Sequence, residues 1–395
     1  MKRLVLGVSG SVAAYRACDL ARELMRAGFE VRVCLTEAAE KFVTPALFEA
    51  LTGQPCLIGA FEEPERGRMA HIDWAREASL VLVAPASANT LNKLAQGVGD
   101  DMLTTLALAS TAPLVLAPAM NPAMWAHPTT QESLARLIDR GARVVEPGEG
   151  VVACGEQGQG KFAALDEIVD AVEEAAFASR RLAGKRVLIT NGPTQEPLDD
   201  VRFLTNRSSG KMGAALARAA GQMGGEVTVV SGPVSVSYPA FARVLPVQTA
   251  SEMLAVALEC ASEADLIIGV AAVADYRPKT RVEGKIRREG PLALELEPNP
   301  DIIAALAEFV ASRRQETWPQ VVAFGAEPSS DPEVAVAKMI RKGVDALAMN
   351  DISAPGIGFG SDSNALTLLR PDQAPLNFGP ASKFRCAIWL LEQLT

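Results

Sequence analysis

The sequence predicts two three-layer α/β domains joined end to end. Continuously apolar segments such as Leu4–Val8 and Ser79–Ala84 alternate with stretches of helical periodicity, the pattern of a mainly parallel sheet covered on both faces. The alternation restarts at Arg186-Val-Leu-Ile-Thr190, after the charged connection Ser179–Lys185. A chain of 395 residues also exceeds one ordinary domain. These observations predict domains at 1–183 and 184–395.

In the first half, Leu4–Val8 reads as a strand running into the tight turn Gly7-Val-Ser-Gly-Ser11. The helix that follows places Ala13, Ala17, Leu20 and Leu24 on one face. Glu30–Leu35, Ser79–Ala84, Pro113–Ala117 and Ala142–Val145 read as further strands, and Ala164–Ala176 as a closing helix. In the second half the strands are Arg186–Thr190, Glu226–Val230, Leu266–Ala271, Val321–Phe324, Ala346–Met349 and Leu366–Leu369. No repeat or low-complexity run interrupts them.

A net charge of -9 disfavours a general nucleic-acid partner. No stretch approaches the roughly 18 apolar residues of a membrane span, and the N-terminal apolar run is too short for a signal peptide. The six cysteines are scattered without a C-x-x-C pair, and there are two histidines, so a zinc site is not expected. Scattered thiols in so long a chain read as reduced and cytoplasmic.

Ligands of an open parallel sheet gather at the carboxyl ends of its strands. Four first-half loops occupy that position. Gly7–Ser11 can wrap a phosphate at a helix start, which alone is a weak signal. Ala84-Pro-Ala-Ser-Ala-Asn-Thr90 offers hydroxyl and amide groups before a helix, and Pro118-Ala-Met-Asn121 follows a strand. The fourth, Gly150-Val-Val-Ala-Cys-Gly-Glu-Gln-Gly-Gln-Gly160, presents Cys154 among glycines. A thiol displayed this way is a candidate for proton or redox chemistry, and equally a turn that happens to contain Cys. His71, in Ala70-His-Ile-Asp-Trp74, is the second candidate; His127, before Pro128, reads as structural.

The His71-Ile72, Pro118-Ala-Met-Asn121 and Ala153-Cys-Gly-Glu-Gln-Gly-Gln-Gly160 segments, in that order, resemble the flavin-dependent cysteine decarboxylases. The resemblance is to the decarboxylase half of the bacterial bifunctional phosphopantothenoylcysteine decarboxylase/phosphopantothenate–cysteine ligase family. It implies a flavodoxin-like fold and FMN, with Gly10, Ser11, Ser87, Ala88, Asn89 and Met120 against the cofactor. In that family the substrate thiol is oxidised to a thioaldehyde, CO2 is lost to give an enethiol, and a cysteine proton donor helps restore the thiol. The resemblance gives His71 a part in oxidative decarboxylation, Asn121 the substrate carboxylate, and Cys154 the proton for the enethiol. Lys161-Phe162 stands where the family usually has Arg-Met, which keeps the charge but loses the guanidinium fork.

In the second half, Asn191-Gly-Pro-Thr194 follows the first strand, and Asn206-Arg-Ser-Ser-Gly-Lys-Met-Gly213 opens a helix. A polar, glycine-flanked turn with a lysine at a helix start suits an anion, although it lacks Walker spacing. Ala271-Ala-Val-Ala-Asp-Tyr-Arg-Pro-Lys279 ends another strand and leads to the basic segment Lys285-Ile-Arg-Arg288. Such a loop is either a solvated charge run or a cover that closes over a triphosphate.

With Asn299-Pro-Asp-Ile302, Phe324-Gly-Ala-Glu327 and Lys338–Lys342, these segments resemble the ligase half of the same family, so the resemblance spans almost the whole chain. It implies a Rossmann-like domain that couples 4'-phosphopantothenate to cysteine through an acyl-cytidylate, with CTP as co-substrate and Mg2+ on the triphosphate. Asn206 and Ala272 then lie at the acyl-cytidylate, Lys285 on the covering loop, and Asp275, Phe324, Lys338 and Lys342 in the nucleotide region. Metal ligands are not assigned. Asn191 stands where alanine is common and Pro298 where lysine is common. The family further implies a homo-oligomer in which trimers around the flavin sites are multiplied into a dodecamer by pairing of ligase domains.

Two rival readings are weaker. An NAD(P)-dependent reductase needs a strand leading into G-x-G-x-x-G with an acidic partner downstream, which is missing. A binding-only flavoprotein has no need of both His71 and Cys154.

Overall fold

In the computed structural model, which describes residues 2–59, 69–287, 290, 292–313, 320–327, 332–351 and 361–395, the chain divides into two compact units, Met1–Phe177 and Ala178–Thr395. Both are α/β, as the sequence predicts.

The first unit is built on β1 (Lys2–Val8), β2 (Phe29–Leu35), β3 (Cys56–Leu57), β4 (Leu80–Ala86), β5 (Leu114–Pro118) and β6 (Arg143–Val144). They form one parallel sheet in the order β3-β2-β1-β4-β5-β6. β3 contributes two residues at the outer edge; the other five follow the flavodoxin order, whose ligand crevice lies where the winding reverses, here between β1 and β4.

Strand alternation fills both faces of this sheet. Leu4, Leu6 and Val8 with Leu80, Leu82 and Ala84 point into one core, and Val5, Val81 and Val83 into the other. The first core is closed by Ala17, Leu20, Ala21 and Leu24 of the helix Arg16–Arg26 and by Ile168 and Val172 of Leu165–Phe177. The second takes Leu91 and Leu94 from Ala88–Gln96 and Leu103 and Leu106 from Met102–Ala109. The helix expected from Ala13 starts as a tighter 3-10 turn, Val12–Tyr15, and becomes α-helical at Arg16. The glycine-dense segment is not a plain loop: β7 (Gly148–Val151) and β8 (Gln157–Lys161) pair as an antiparallel hairpin with Cys154 in the connection.

The second unit carries β9 (Arg186–Asn191), β10 (Gln195–Pro197), β11 (Phe203–Thr205), β12 (Glu226–Ser231), β13 (Arg243–Pro246), β14 (Leu266–Gly269), β15 (Tyr276–Pro278), β16 (Leu296–Pro298), β17 (Gln320–Glu327), β18 (Ala346–Asp351), β19 (Ser363–Leu369) and β20 (Leu376–Ser382). Its main sheet runs β13-β12-β9-β14-β17-β18-β19-β20. The first six strands are parallel in the Rossmann order, and β19 and β20 extend them as an antiparallel edge. The strand expected over Leu266–Ala271 stops at Gly269.

One face of this sheet, with Leu188, Ile267, Val321 and Leu347, packs against Met253 and Ala257 of the helix Ala250–Ala261 and Leu306 and Val310 of Ile302–Ser312. Two small antiparallel pairs, β10–β11 and β15–β16, stand apart from the main sheet. Their strands are three residues each, too short to carry a periodic signal in the sequence.

Candidate functional site

In the first unit the reversal point is tied together by Ser9, a residue the sequence reading passed over. Ser9 is fully buried; its hydroxyl donates to Pro85 O at 2.7 Å and accepts from Ser87 N at 2.7 Å. This fixes the end of β4 to the end of β1. Ser87 then caps the helix Ala88–Gln96, its hydroxyl accepting from Thr90 N at 3.3 Å. By helix geometry the amides of Ala88 and Asn89 have no partner within that helix. Ser11 links the neighbouring loop, donating to Ala119 O at 3.3 Å. Hydroxyls and helix-start amides without a carboxylate suit the phosphate of a flavin nucleotide, so Gly10, Ser11, Ser87, Ala88 and Asn89 fit such a group.

The third loop meets the fourth. Met120 N donates to Gly160 O at 3.0 Å, anchoring β8 to the end of β5. Gly160 has φ of 147°, and a Cβ there would sit 2.4 Å from Met120 O. Only glycine allows that approach. The hairpin thus delivers Cys154 to Asn121, whose Nδ2 donates to the Cys154 Sγ at 3.3 Å. Asn121 Oδ1 is taken by Ala123 N at 2.8 Å, which fixes the amide so that its nitrogen faces the thiol. The second N–H of that nitrogen is available to an acceptor. Cys154 is the exposed cysteine of the six. Phe162, at the departure from the family pattern, is buried in the core.

His71 lies in the first turn of the helix Ala70–Glu77, half-buried. Ser79 N bonds to Arg3 O, so that helix ends at the amino edge of the sheet and its first turn is the end directed away from it. The structure joins Asn121 to Cys154 and places His71 on this separate element. His127 is structural: its Nδ1 accepts from Thr129 N at 3.2 Å and caps the helix Pro128–Asp139.

In the second unit a cavity of 830 Å³ opens at the carboxyl ends of β9, β14 and β17. Asn206, Ala272, Asp275, Phe324, Lys338 and Lys342 all lie on its wall. Asn206 Nδ2 donates to Val273 O at 2.9 Å, tying the Asn206–Gly213 segment to the end of β14. Asn191 sits beneath that segment, buried, donating to Gly210 O at 2.9 Å and to Tyr238 Oη at 2.6 Å. A Cβ on Gly213 would fall 2.2 Å from the Asn191 amide, so glycine is what lets the helix Lys211–Gln222 begin there.

Lys342 is held by Asp301 at 2.6 Å. Burial, reinforced by the charge of Lys211, holds the Lys383 ammonium below its ordinary pKa on the same wall. Two amide oxygens on the wall, Asn299 Oδ1 and Asn350 Oδ1, are buried without a hydrogen-bond partner. Orphaned acceptors beside lysines fit a ligand bearing both anionic oxygens and N–H or O–H donors, as a nucleotide does. Lys285 does not lie on this wall; it is exposed on the connection between β15 and β16. Arg288 of the same basic segment lies outside the described residues. Among the described residues no group of three or more His, Cys, Asp or Glu is arranged to hold a metal, and no helix is long and apolar enough to cross a membrane.

Residues 1–177 match the flavoprotein family, and residues 182–395 match the DNA/pantothenate metabolism flavoprotein C-terminal domain. The coenzyme A biosynthesis bifunctional protein CoaBC of Vibrio cholerae is 44% identical over 370 residues, covering 93% of this chain and 91% of that protein. Its counterpart in Bacillus subtilis is 40% identical over 397 residues, covering 100% and 96%. That of Escherichia coli is 40% identical over 375 residues, covering 94% and 91%. With both domains matched and such relatives aligned over nearly their full length, the chain belongs to the family of coenzyme A biosynthesis bifunctional proteins.

Proposed function

We propose that the chain carries out two consecutive steps of coenzyme A biosynthesis. Residues 184–395 join cysteine to 4'-phosphopantothenate through an acyl-cytidylate made from CTP. Residues 1–183 then decarboxylate phosphopantothenoylcysteine to 4'-phosphopantetheine. The observation that carries the reading is the contact between Asn121 Nδ2 and Cys154 Sγ at 3.3 Å beside a flavin-type phosphate cradle.

FMN, when bound, supplies the reversible two-electron oxidation that makes the carboxylate β to a thiocarbonyl, so that CO2 can leave. The protein's own groups do the rest. Asn121 offers its remaining N–H to the substrate carboxylate and keeps the Cys154 thiol turned toward the same spot. Cys154, exposed at the hairpin tip, gives its proton to the carbon that lost CO2. His71 assists the decarboxylation from its own helix.

In the second unit Lys338 and Lys342 bind the triphosphate, and the Asn299 and Asn350 oxygens accept from the nucleotide. Asn206 and Ala272 hold the acyl group. Lys285 meets the charge developing at the displaced phosphate. Mg2+, when bound, would neutralise triphosphate charge beside Lys338 and Lys342. Six free cysteines support a reduced, cytoplasmic setting, and the protein works as a homo-oligomer, trimers assembling into a dodecamer.

The test is a coupled assay. Given 4'-phosphopantothenate, cysteine and CTP, the FMN-loaded protein is expected to release CMP and pyrophosphate and then CO2. Turnover driven by NADPH alone would replace this reading with a reductase.

A further inference from the structure

The residues on either side of Lys285 are held by two aspartates from a different hairpin. β10 and β11 follow the cavity-lining Asn191 and lead back to the wall at Asn206, with Asp199 and Asp200 in their turn. β15 and β16 leave at Asp275 and return at Asn299, with Lys285 in their connection. Both hairpins are therefore rooted on the same rim.

Their ends are cross-tied through the backbone next to Lys285. Asp199 Oδ2 accepts from Ile286 N at 3.0 Å, and Arg202 Nη1 donates to Ile286 O at 3.2 Å. Asp200 Oδ2 accepts from Gly284 N at 2.9 Å, while Asp200 N donates to Gly284 O at 3.1 Å. All four backbone groups flanking Lys285 are engaged. Asp199 is itself fixed, its Oδ1 accepting from Val201 N and Arg202 N at 2.7 Å each and its Oδ2 from Arg202 Nη1 at 3.0 Å. Arg281 Nη2 completes the tie on Asp200 Oδ1 at 2.8 Å. The Asp199 side chain is buried. Burial of a carboxylate is costly unless its bonds are made; three of the bonds to Asp199 come from its own turn, and the fourth, from Ile286 N, holds the backbone beside Lys285 while the Lys285 side chain stays exposed.

We infer that Asp199, with Asp200, is a positioning residue for the ligase reaction, fixing the place from which Lys285 reaches the nucleotide. The inference rests on the role proposed above for Lys285. The tie also joins Lys285 to Asn206 through β11, so the nucleotide-side lysine and the acyl-side asparagine are located by one framework.

Asp199→Asn keeps the shape of the side chain and turns one oxygen into a donor that faces the N–H groups it should accept. In the full-length protein this variant is expected to lower ligase kcat by about tenfold to a hundredfold, the scale of a small misplacement of a reacting group, with a much smaller change in the KM for CTP. Asp200→Asn alters an exposed residue and is expected to act in the same direction more weakly, so the test stands even where Asp199→Asn folds poorly. The double variant Asp199→Asn/Lys285→Ala is expected to be no slower than Lys285→Ala alone. Independent, multiplying losses would overturn the inference, as would parental kcat in both aspartate variants beside a crippled Lys285→Ala. A Lys285→Ala protein that ligates at the parental rate would instead overturn the role given to Lys285.

Discussion

Asn121 and Cys154 lie 33 residues apart in sequence and meet through a single hydrogen bond from the amide nitrogen to the sulfur. The bond has a direction because the amide oxygen is already committed to Ala123 N. One asparagine therefore caps the helix Pro122–Trp125 and orients a thiol, and in the function proposed above its remaining N–H takes the substrate carboxylate. A thiol proposed as a proton donor is thereby held on a hairpin rather than inside the sheet. The donor must be exposed to meet its substrate, and its position comes from the strand end it leans on.

Cys154→Ser is expected to release CO2 but to stall before reduction, because a serine hydroxyl is far weaker as a proton donor. Mass spectrometry of the product would then find the enethiol, two hydrogens lighter than 4'-phosphopantetheine. Normal amounts of 4'-phosphopantetheine would refute the role of Cys154.

The remaining cysteines give this thiol a selective label. Burial, with help from Glu49, pushes the Cys56 thiol up to about 12, and burial pushes Cys34 well above its usual range. Cys18 and Cys260 are raised by burial as well. Limited alkylation with iodoacetamide near neutral pH is expected to modify Cys154 first, read by peptide mapping, and to abolish decarboxylation in step with labelling. Earlier labelling of Cys34 or Cys56 would contradict the packing.

Gly160→Ala tests the anchor of the hairpin. A Cβ 2.4 Å from Met120 O, at φ of 147°, forces β8 away from the end of β5. The backbone strain is on the order of 1–3 kcal/mol, and displacement of Cys154 is expected to cut decarboxylation by up to about a hundredfold. The ligase assay, run on the same protein, is expected to keep the parental rate; equal loss of both activities would point to general unfolding.

Much of this was readable in advance, and what was missed shares a physical cause. β1, β4, β5 and β9 announce themselves because strands buried on both faces must be apolar throughout. The Cys154 hairpin drew attention through its glycines, but its pairing did not, since Gln157-Gly-Gln-Gly160 has no hydrophobic alternation. β15, Tyr276-Arg-Pro278, and β20, with its internal Gly379-Pro380, are half-exposed and break the usual strand composition. Ser9 and Asp199 are single polar residues whose importance lies in which backbone groups they meet, Pro85 and Ser87 in one case and Ile286 in the other. No local pattern encodes a partner that far along the chain. Asp275, Phe324, Lys338 and Lys342, singled out by a resemblance, share the cavity wall, whereas the placement of Lys285 away from that wall needed coordinates.

Asn191→Ala removes the two bonds to Gly210 O and Tyr238 Oη and leaves a buried carbonyl unsatisfied. The expected cost is about 1–3 kcal/mol, read as a lower melting temperature of the ligase unit. The Asn206–Gly213 segment loses its support from below, so the ligase rate is expected to fall as well. An unchanged melting curve would show that the Tyr238–Asn191 pair is not bracing that turn.

The acid side of the pH profile reports on the tie beside Lys285. Burial pushes the Asp199 carboxyl up, but backbone bonds from Val201, Ile286 and Arg202 outweigh it, so the net shift is below the ordinary 3.8. The Arg281 guanidinium and the Gly284 amide likewise hold Asp200 below 3.8. For carboxyls lowered by folding, the stabilisation is complete above the unfolded value and disappears as pH falls through the folded one. Amide hydrogen exchange at Gly284 and Ile286, corrected for intrinsic rates, is therefore expected to stay protected down to about pH 4 and to lose protection only below it. In Asp199→Asn the protection of Ile286 is expected to be lost at every pH, whereas protection that survives the substitution would show that the carboxylate does not hold this segment.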